Sequence, residues 1–205
     1  MLPSLNHPQI QPPPTGGVGV VACGRRRLLG LVGAVLMGVW AGQAGAGEVA
    51  LPEPQIKALF LFNFTKYVEW PEPAFGGPTA PLIIGIVGAP AVAEPLEKLA
   101  AGKSLNGHPI VIRRLEPADQ TAPCHILFLG DLPSQQLPEW LQVRRGQPVL
   151  VVGEDAKFTE LGGIVNFGQR DHKIRLEINT TTAAASGLKL SSKLLAVADL
   201  VNHPL

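Results

Sequence analysis

The chain has 205 residues, with 17 Lys and Arg against 16 Asp and Glu, 23 Gly, 20 Pro and two Cys. Those totals exclude a collagen, a disulfide scaffold, a disordered acidic chain and a strongly basic nucleic-acid binder. Their distribution is uneven: residues 1–46 hold no Asp, Glu or Lys, only three Arg, five of the Pro and nine of the Gly.

That first stretch has the three parts of an export signal. Arg25, Arg26 and Arg27 form a positive start, Leu28 to Trp40 an apolar run, and Ala44-Gly45-Ala46 the small residues that precede cleavage. Thirteen apolar residues are too few for a bilayer, where a helix needs about 20, so a cleaved signal is expected in preference to a retained anchor. The Pro-rich Met1 to Gly24 is long for such a leader and fits a start placed too far upstream. Gly24 stands where a twin-arginine signal usually has Ser or Thr, and the apolar run follows Cys23, where a lipoprotein signal would have it precede the cysteine. The expected mature domain, residues 47–205, carries 14 basic and 16 acidic residues, a net charge of −2, which gives no electrostatic case for nucleic acid or anionic lipid. Cys124 is its one remaining cysteine. An internal disulfide is therefore impossible there, and its place before the apolar run His125 to Leu129 suggests a buried, inert free thiol.

From Pro54 to Val68 apolar residues recur at helical spacing, with Pro54 suited to a first turn and Pro71 ending the segment. Leu82 to Val87 is an unbroken apolar run, Val92 to Ala101 reads as a helix closed by Gly102, and Ile110 to Arg113 and His125 to Leu129 read as short strands. Ser134 to Val143 is a weaker helix interrupted by Pro138, and Val149 to Val152 is another β-branched run. Ile164 to Phe167 and Ile174 to Ile178 flank a polar turn and suggest an antiparallel hairpin at the sheet edge. Beyond Thr180, Leu190, Leu194, Leu195, Val197, Ala198 and Val201 predict one final helix, with Asn179-Thr180 capping its start. The predicted fold is a single three-layer α/β domain: a largely parallel sheet, an antiparallel edge hairpin and flanking helices.

Catalytic patterns are sparse. Gly102-Lys103-Ser104 mimics the end of a phosphate loop, but Glu97 occupies the required glycine position and the segment ends a helix instead of opening one. His108, His125, His172 and His203 have no metal-ligand spacing to each other or to Cys124, so no metal site and no cofactor is expected. Asp131, Glu154 and Asp155 follow strands whose ends would border a ligand crevice, where carboxylates can do acid–base work. Acids after a strand-ending glycine are also ordinary turn and cap residues, which is the expectation adopted.

Several blocks in order resemble the YfiR-like periplasmic regulators. They are Ile56-Lys57-Ala58-Leu59-Phe60-Leu61-Phe62-Asn63-Phe64-Thr65-Lys66-Tyr67-Val68-Glu69-Trp70-Pro71, Cys124-His125-Ile126-Leu127-Phe128, Phe158 to Phe167 with Gly162-Gly163-Ile164, and Arg175-Leu176-Glu177-Ile178-Asn179 followed by Gly187-Leu188 and Ser191-Ser192-Lys193-Leu194-Leu195. The likeness covers Gln55 to Val201. It implies a non-enzymatic, exported protein that binds the periplasmic domain of an inner-membrane signalling protein, a GGDEF diguanylate cyclase in the best-known system. Repression there governs cyclic di-GMP, biofilm and motility, and an outer-membrane, peptidoglycan-binding lipoprotein relieves it by sequestration. The well-known member depends on disulfides, which this mature chain with its lone Cys124 lacks. A homodimer stays open as an alternative assembly.

An exposed strand edge can recruit a partner by backbone pairing or through its side-chain face. Phe158, Phe167, Arg175 and Glu177 are the expected partner-binding residues on the hairpin and its preceding loop, with a core role for the two phenylalanines as the alternative. Phe64, Tyr67 and Trp70 could instead wall a ligand pocket between the first helix and the sheet, as a small-molecule sensor acting with another membrane partner such as a histidine kinase would require. An enzyme would need Asp131, Glu154 and Asp155 to converge with His125 or His172.

Overall fold

The computed structural model describes residues 51–170 and 173–203. The expected leader, its cleavage motif after Ala46 and His172 lie outside the described residues. Helix α1 (Glu53–Tyr67) starts after Pro52 with Glu53 in its first turn and ends with Lys66 in its last, charges that complement the helix dipole. It buries Ala58, Leu61 and Phe64 and runs into β1 (Val68–Glu69). A single 3-10 turn, Glu72–Ala74, leads to β2 (Leu82–Val87), α2 (Pro90–Ala100), β3 (Ser104–Leu105) and β4 (His108–Leu115). Then come β5 (Ile126–Leu129), α3 (Leu137–Arg144), β6 (Leu150–Gly153), β7 (Val165–Arg170) and β8 (Lys173–Asn179). Pro138 falls in the first turn of α3, so it starts this helix where the sequence suggested an interruption.

The main sheet runs β10-β8-β7-β6-β5-β2-β4-β3, with β10 (Ala198–Val201) introduced below. β4, β2, β5, β6 and β7 are mutually parallel, and β7 pairs antiparallel with β8. Side chains sort with the period of two that a strand imposes. Leu82, Ile84, Ile86, Ile126, Phe128, Leu150 and Val152 face one core with α1 and α2, while Ile83, Val87, Leu127, Leu129, Val149 and Val151 face the other with Trp140 and Leu141 of α3. Both faces of the central strands are therefore covered, which explains why they read as unbroken apolar runs.

The last third departs from the predicted single helix. Asn179 does cap α4 (Thr180–Ala185), accepting the Thr182 N–H at 3.1 Å, but Gly187 then takes a φ of 71° and turns the chain. β9 (Lys189–Leu190) follows and pairs with β1. Ser191 caps the one-turn α5 (Ser192–Leu195), and β10 lies parallel to β8 with Ala198 opposite Leu176 and Val201 opposite Asn179. The apolar residues at helical spacing thus belong to three short elements. β10 covers the second half of the hairpin strand and becomes the outermost strand on that side.

Candidate functional site

The hairpin register sets which residues can meet a partner. Val165, Phe167, Leu176 and Ile178 point into the core, where the Phe167 ring lies 6.2 Å from that of Phe64 and 5.8 Å from that of Phe128. Phe158 has no exposed surface, and a Cβ at Gly153 or at Gly163 would overlap its ring. These two phenylalanines are core residues, a correction to their expected place on a docking face. Arg175 and Glu177 share the opposite face of β8. Arg175 is exposed, whereas Glu177 is half-buried and accepts a hydrogen bond from the Thr159 hydroxyl of the loop that crosses this face.

Beyond the hairpin, the outer side of β10 carries no strand among the described residues. Val197 is 65% and Leu200 51% exposed beside it. Sequence reading missed this edge because it had merged these residues into a helix.

At the carboxyl ends of the parallel strands, Asp131, Glu154 and Asp155 line an open hollow of about 330 Å³. Each of the latter two is held by its own neighbours. The Lys57 ammonium, buried in α1, pairs with Glu154 and also with Glu53 at 2.6 Å. Burial works against that charge, but the hydrogen bonds and attraction of the two carboxylates outweigh it and raise the lysine above its usual range. Asp155 accepts from the Ser134 hydroxyl at 2.6 Å and from the Lys157 N–H at 2.9 Å, bonds that hold its carboxyl below the usual value. Asp155 thus holds its own turn, whereas the pairing of Glu154 with Lys57 is a role that the sequence pattern did not suggest. His125 stands before β5 and Asp131 beyond it, at opposite ends of a strand that spans about 10 Å at 3.3 Å per residue, so the acids and this imidazole do not meet.

The three aromatic residues expected to wall a pocket pack against the protein's own core. Phe64 is buried in the core, and Trp70 donates its indole N–H to the His125 carbonyl at 3.0 Å. Tyr67 is partly buried against the same core. Phe75, on the segment after the 3-10 turn, stacks between two imidazoles, 4.1 Å from His108 and 4.6 Å from His125. His125 Nδ1 accepts the Ile83 N–H at 3.0 Å, and burial pushes this histidine below its ordinary value. Cys124 beside it is a free, buried thiol whose pKa burial pushes up, against a weaker opposing pull from Arg144 and Arg113.

These features define a three-layer α/β domain in which Glu154, Asp155 and His125 are engaged by the protein's own lysine, turn and strand groups. The profile described as YfiR/HmsC-like matches residues 54–199, and the chain belongs to that family. It is a regulatory, non-catalytic family acting through protein contacts. No curated protein shows significant similarity to the chain. A conserved domain protein from Vibrio cholerae O1 biovar El Tor has a similar solved structure, with a TM-score of 0.48 and 16% identity over 72% of this chain. This chain spans 60% of that protein's length. No helix among the described residues is long and apolar enough to cross a membrane.

Proposed function

We propose that the protein is exported, loses residues 1–46, and binds the periplasmic part of an inner-membrane GGDEF diguanylate cyclase, holding it inactive and so lowering cyclic di-GMP. Membership of the YfiR/HmsC-like family over residues 54–199 is the observation that carries this reading. The docking face comprises exposed Arg175, its neighbour Glu177 and the open edge of β10 with Leu200. An unpaired strand offers backbone donors and acceptors to an incoming chain, and the flanking charges select it. An outer-membrane, peptidoglycan-binding lipoprotein competing for the same face would relieve repression.

Co-expression of the protein with a membrane cyclase from its own genome, followed by cyclic di-GMP quantification and co-purification, tests the proposal. Wild type lowers the nucleotide, while folded Arg175→Glu, Glu177→Lys and Leu200→Asp variants lose at least tenfold in cyclase affinity. Equal repression by all three would remove this face from the proposal, and absence of any cyclase response to wild type would remove the partner.

A further inference from the structure

Among the described residues one lysine and one arginine are buried, and they are treated very differently. Lys57 is met by two carboxylates. Arg144, the last residue of α3, is 4% exposed and has no carboxylate within 4.0 Å among the described residues. Its Nη2 donates to the Ala122 carbonyl at 2.8 Å and its Nη1 to the Gln147 side-chain oxygen at 3.4 Å, both neutral acceptors, while its Nε has no partner. A buried guanidinium without a counter-charge is costly, and proteins ordinarily supply one.

Arg144 lines an inward-reaching hollow of about 170 Å³ between α3, the loop after β6 and α4. Thr182 lines the same hollow, and its hydroxyl is likewise buried without a hydrogen-bond partner. Ser186 adds a second buried hydroxyl-bearing residue, and Leu141, Val151 and Ile164 supply apolar wall. Exposed Arg145 and Glu160 border it, leaving two cations against one acid around the hollow. We propose that this hollow is a binding site for a small free organic acid, its carboxylate taken by Arg144 and Thr182 and its hydrocarbon part lying against Leu141, Val151 and Ile164.

The ligand class follows from the chemistry. A planar guanidinium fork matches a planar carboxylate, and a hydroxyl adds a third donor. The apolar wall disfavours a fully hydrated anion such as inorganic phosphate. A cavity of about 150 Å³ holds a molecule of benzene's bulk, so this one suits acids of the size of butyrate, hexanoate or benzoate.

Calorimetric titration of the purified protein with these three acids, with hexanamide and with inorganic phosphate at constant ionic strength tests the site independently of any cyclase. Saturable one-to-one binding of at least one acid is expected, with no binding of the amide and at least tenfold weaker binding of phosphate. Thr182→Val should weaken the acid at least fivefold, and Arg144→Gln should abolish its binding. Because Arg144→Gln also removes the bonds to Ala122 and Gln147 that support the fold, methyl NMR of the wild type supplies a second readout, in which acid shifts the Leu141, Val151 and Ile164 signals and leaves those of Leu59 and Leu99 in place. No saturable binding of any of the three acids, equal binding of the amide or of phosphate, undiminished binding by folded Thr182→Val, or methyl shifts elsewhere would each overturn the proposal.

Discussion

His125 shows how a single position can look functional in sequence and be structural in the fold. Its Nδ1 serves the Ile83 N–H, its carbonyl accepts from Trp70, and its ring stacks on Phe75. Because burial depresses its pKa from the ordinary 6.5, the unfolded chain binds the proton more tightly than the folded one. Stability from this group is therefore complete above about pH 6.5 and is lost as pH falls from there through the folded value. The neighbouring His108 adds to this lowering. Urea unfolding at pH 7.5 and 5.5 should show a smaller loss of stability for His125→Asn, whose amide oxygen can still accept the Ile83 N–H, than for wild type. Asn179 is a second single-residue hub: it caps α4 with its side-chain oxygen and donates its amide to the carbonyls of Thr159 and His203, each at 3.2 Å. Losing a cap and leaving a buried carbonyl unpaired predicts that Asn179→Ala costs about 2–4 kcal/mol in equilibrium unfolding. Asn179→Asp, which keeps only the accepting oxygen, should fall between the two.

At the scale of elements, legibility depended on whether a segment's neighbours were local. β2, β5 and β6 announced themselves as unbroken apolar runs, and the β7–β8 alternation marked a hairpin, because these patterns reflect burial on two faces or one. Leu190, Leu194 and Val201 misled because residues three and four apart also arise when short strands and turns follow each other. Gly187, with φ 71°, was the punctuation that separated them. Open space surrounds its would-be Cβ, so Gly187→Ala isolates backbone strain and should cost about 1–2 kcal/mol in thermal or urea unfolding. Asn106-Gly107 was an equally plain and overlooked signal: both have positive φ, and they join β3 to β4 as a two-residue hairpin turn. Of the candidate docking residues, Arg175 and Glu177 could be placed on one face from strand periodicity alone. Phe158 could not, because its burial depends on how the loop after β6 folds back so that Gly153 and Gly163, five residues to either side of it, both lie against its ring.

For the whole molecule, the contrast between leader and domain carries a prediction of its own. N-terminal sequencing of the protein recovered from a periplasmic fraction should begin at Gly47; a chain beginning at Met1 in that fraction would overturn the cleavage reading. Residues 47–205 carry 14 basic and 16 acidic side chains, and their sheet has two ends that differ. At the carboxyl ends, carboxylates are tied to Lys57 and Ser134, and at the amino ends aromatic and imidazole rings are stacked on one another.

The ring of Phe158 wedged between Gly153 and Gly163 also limits how the family can diverge. Because a side chain at either glycine would occupy the ring's volume, the three positions can change only together. Relatives carrying alanine at one of the glycines should carry a smaller residue in place of the phenylalanine. In this chain, Phe158→Leu should recover part of the stability that Gly163→Ala removes, where independent effects would simply add.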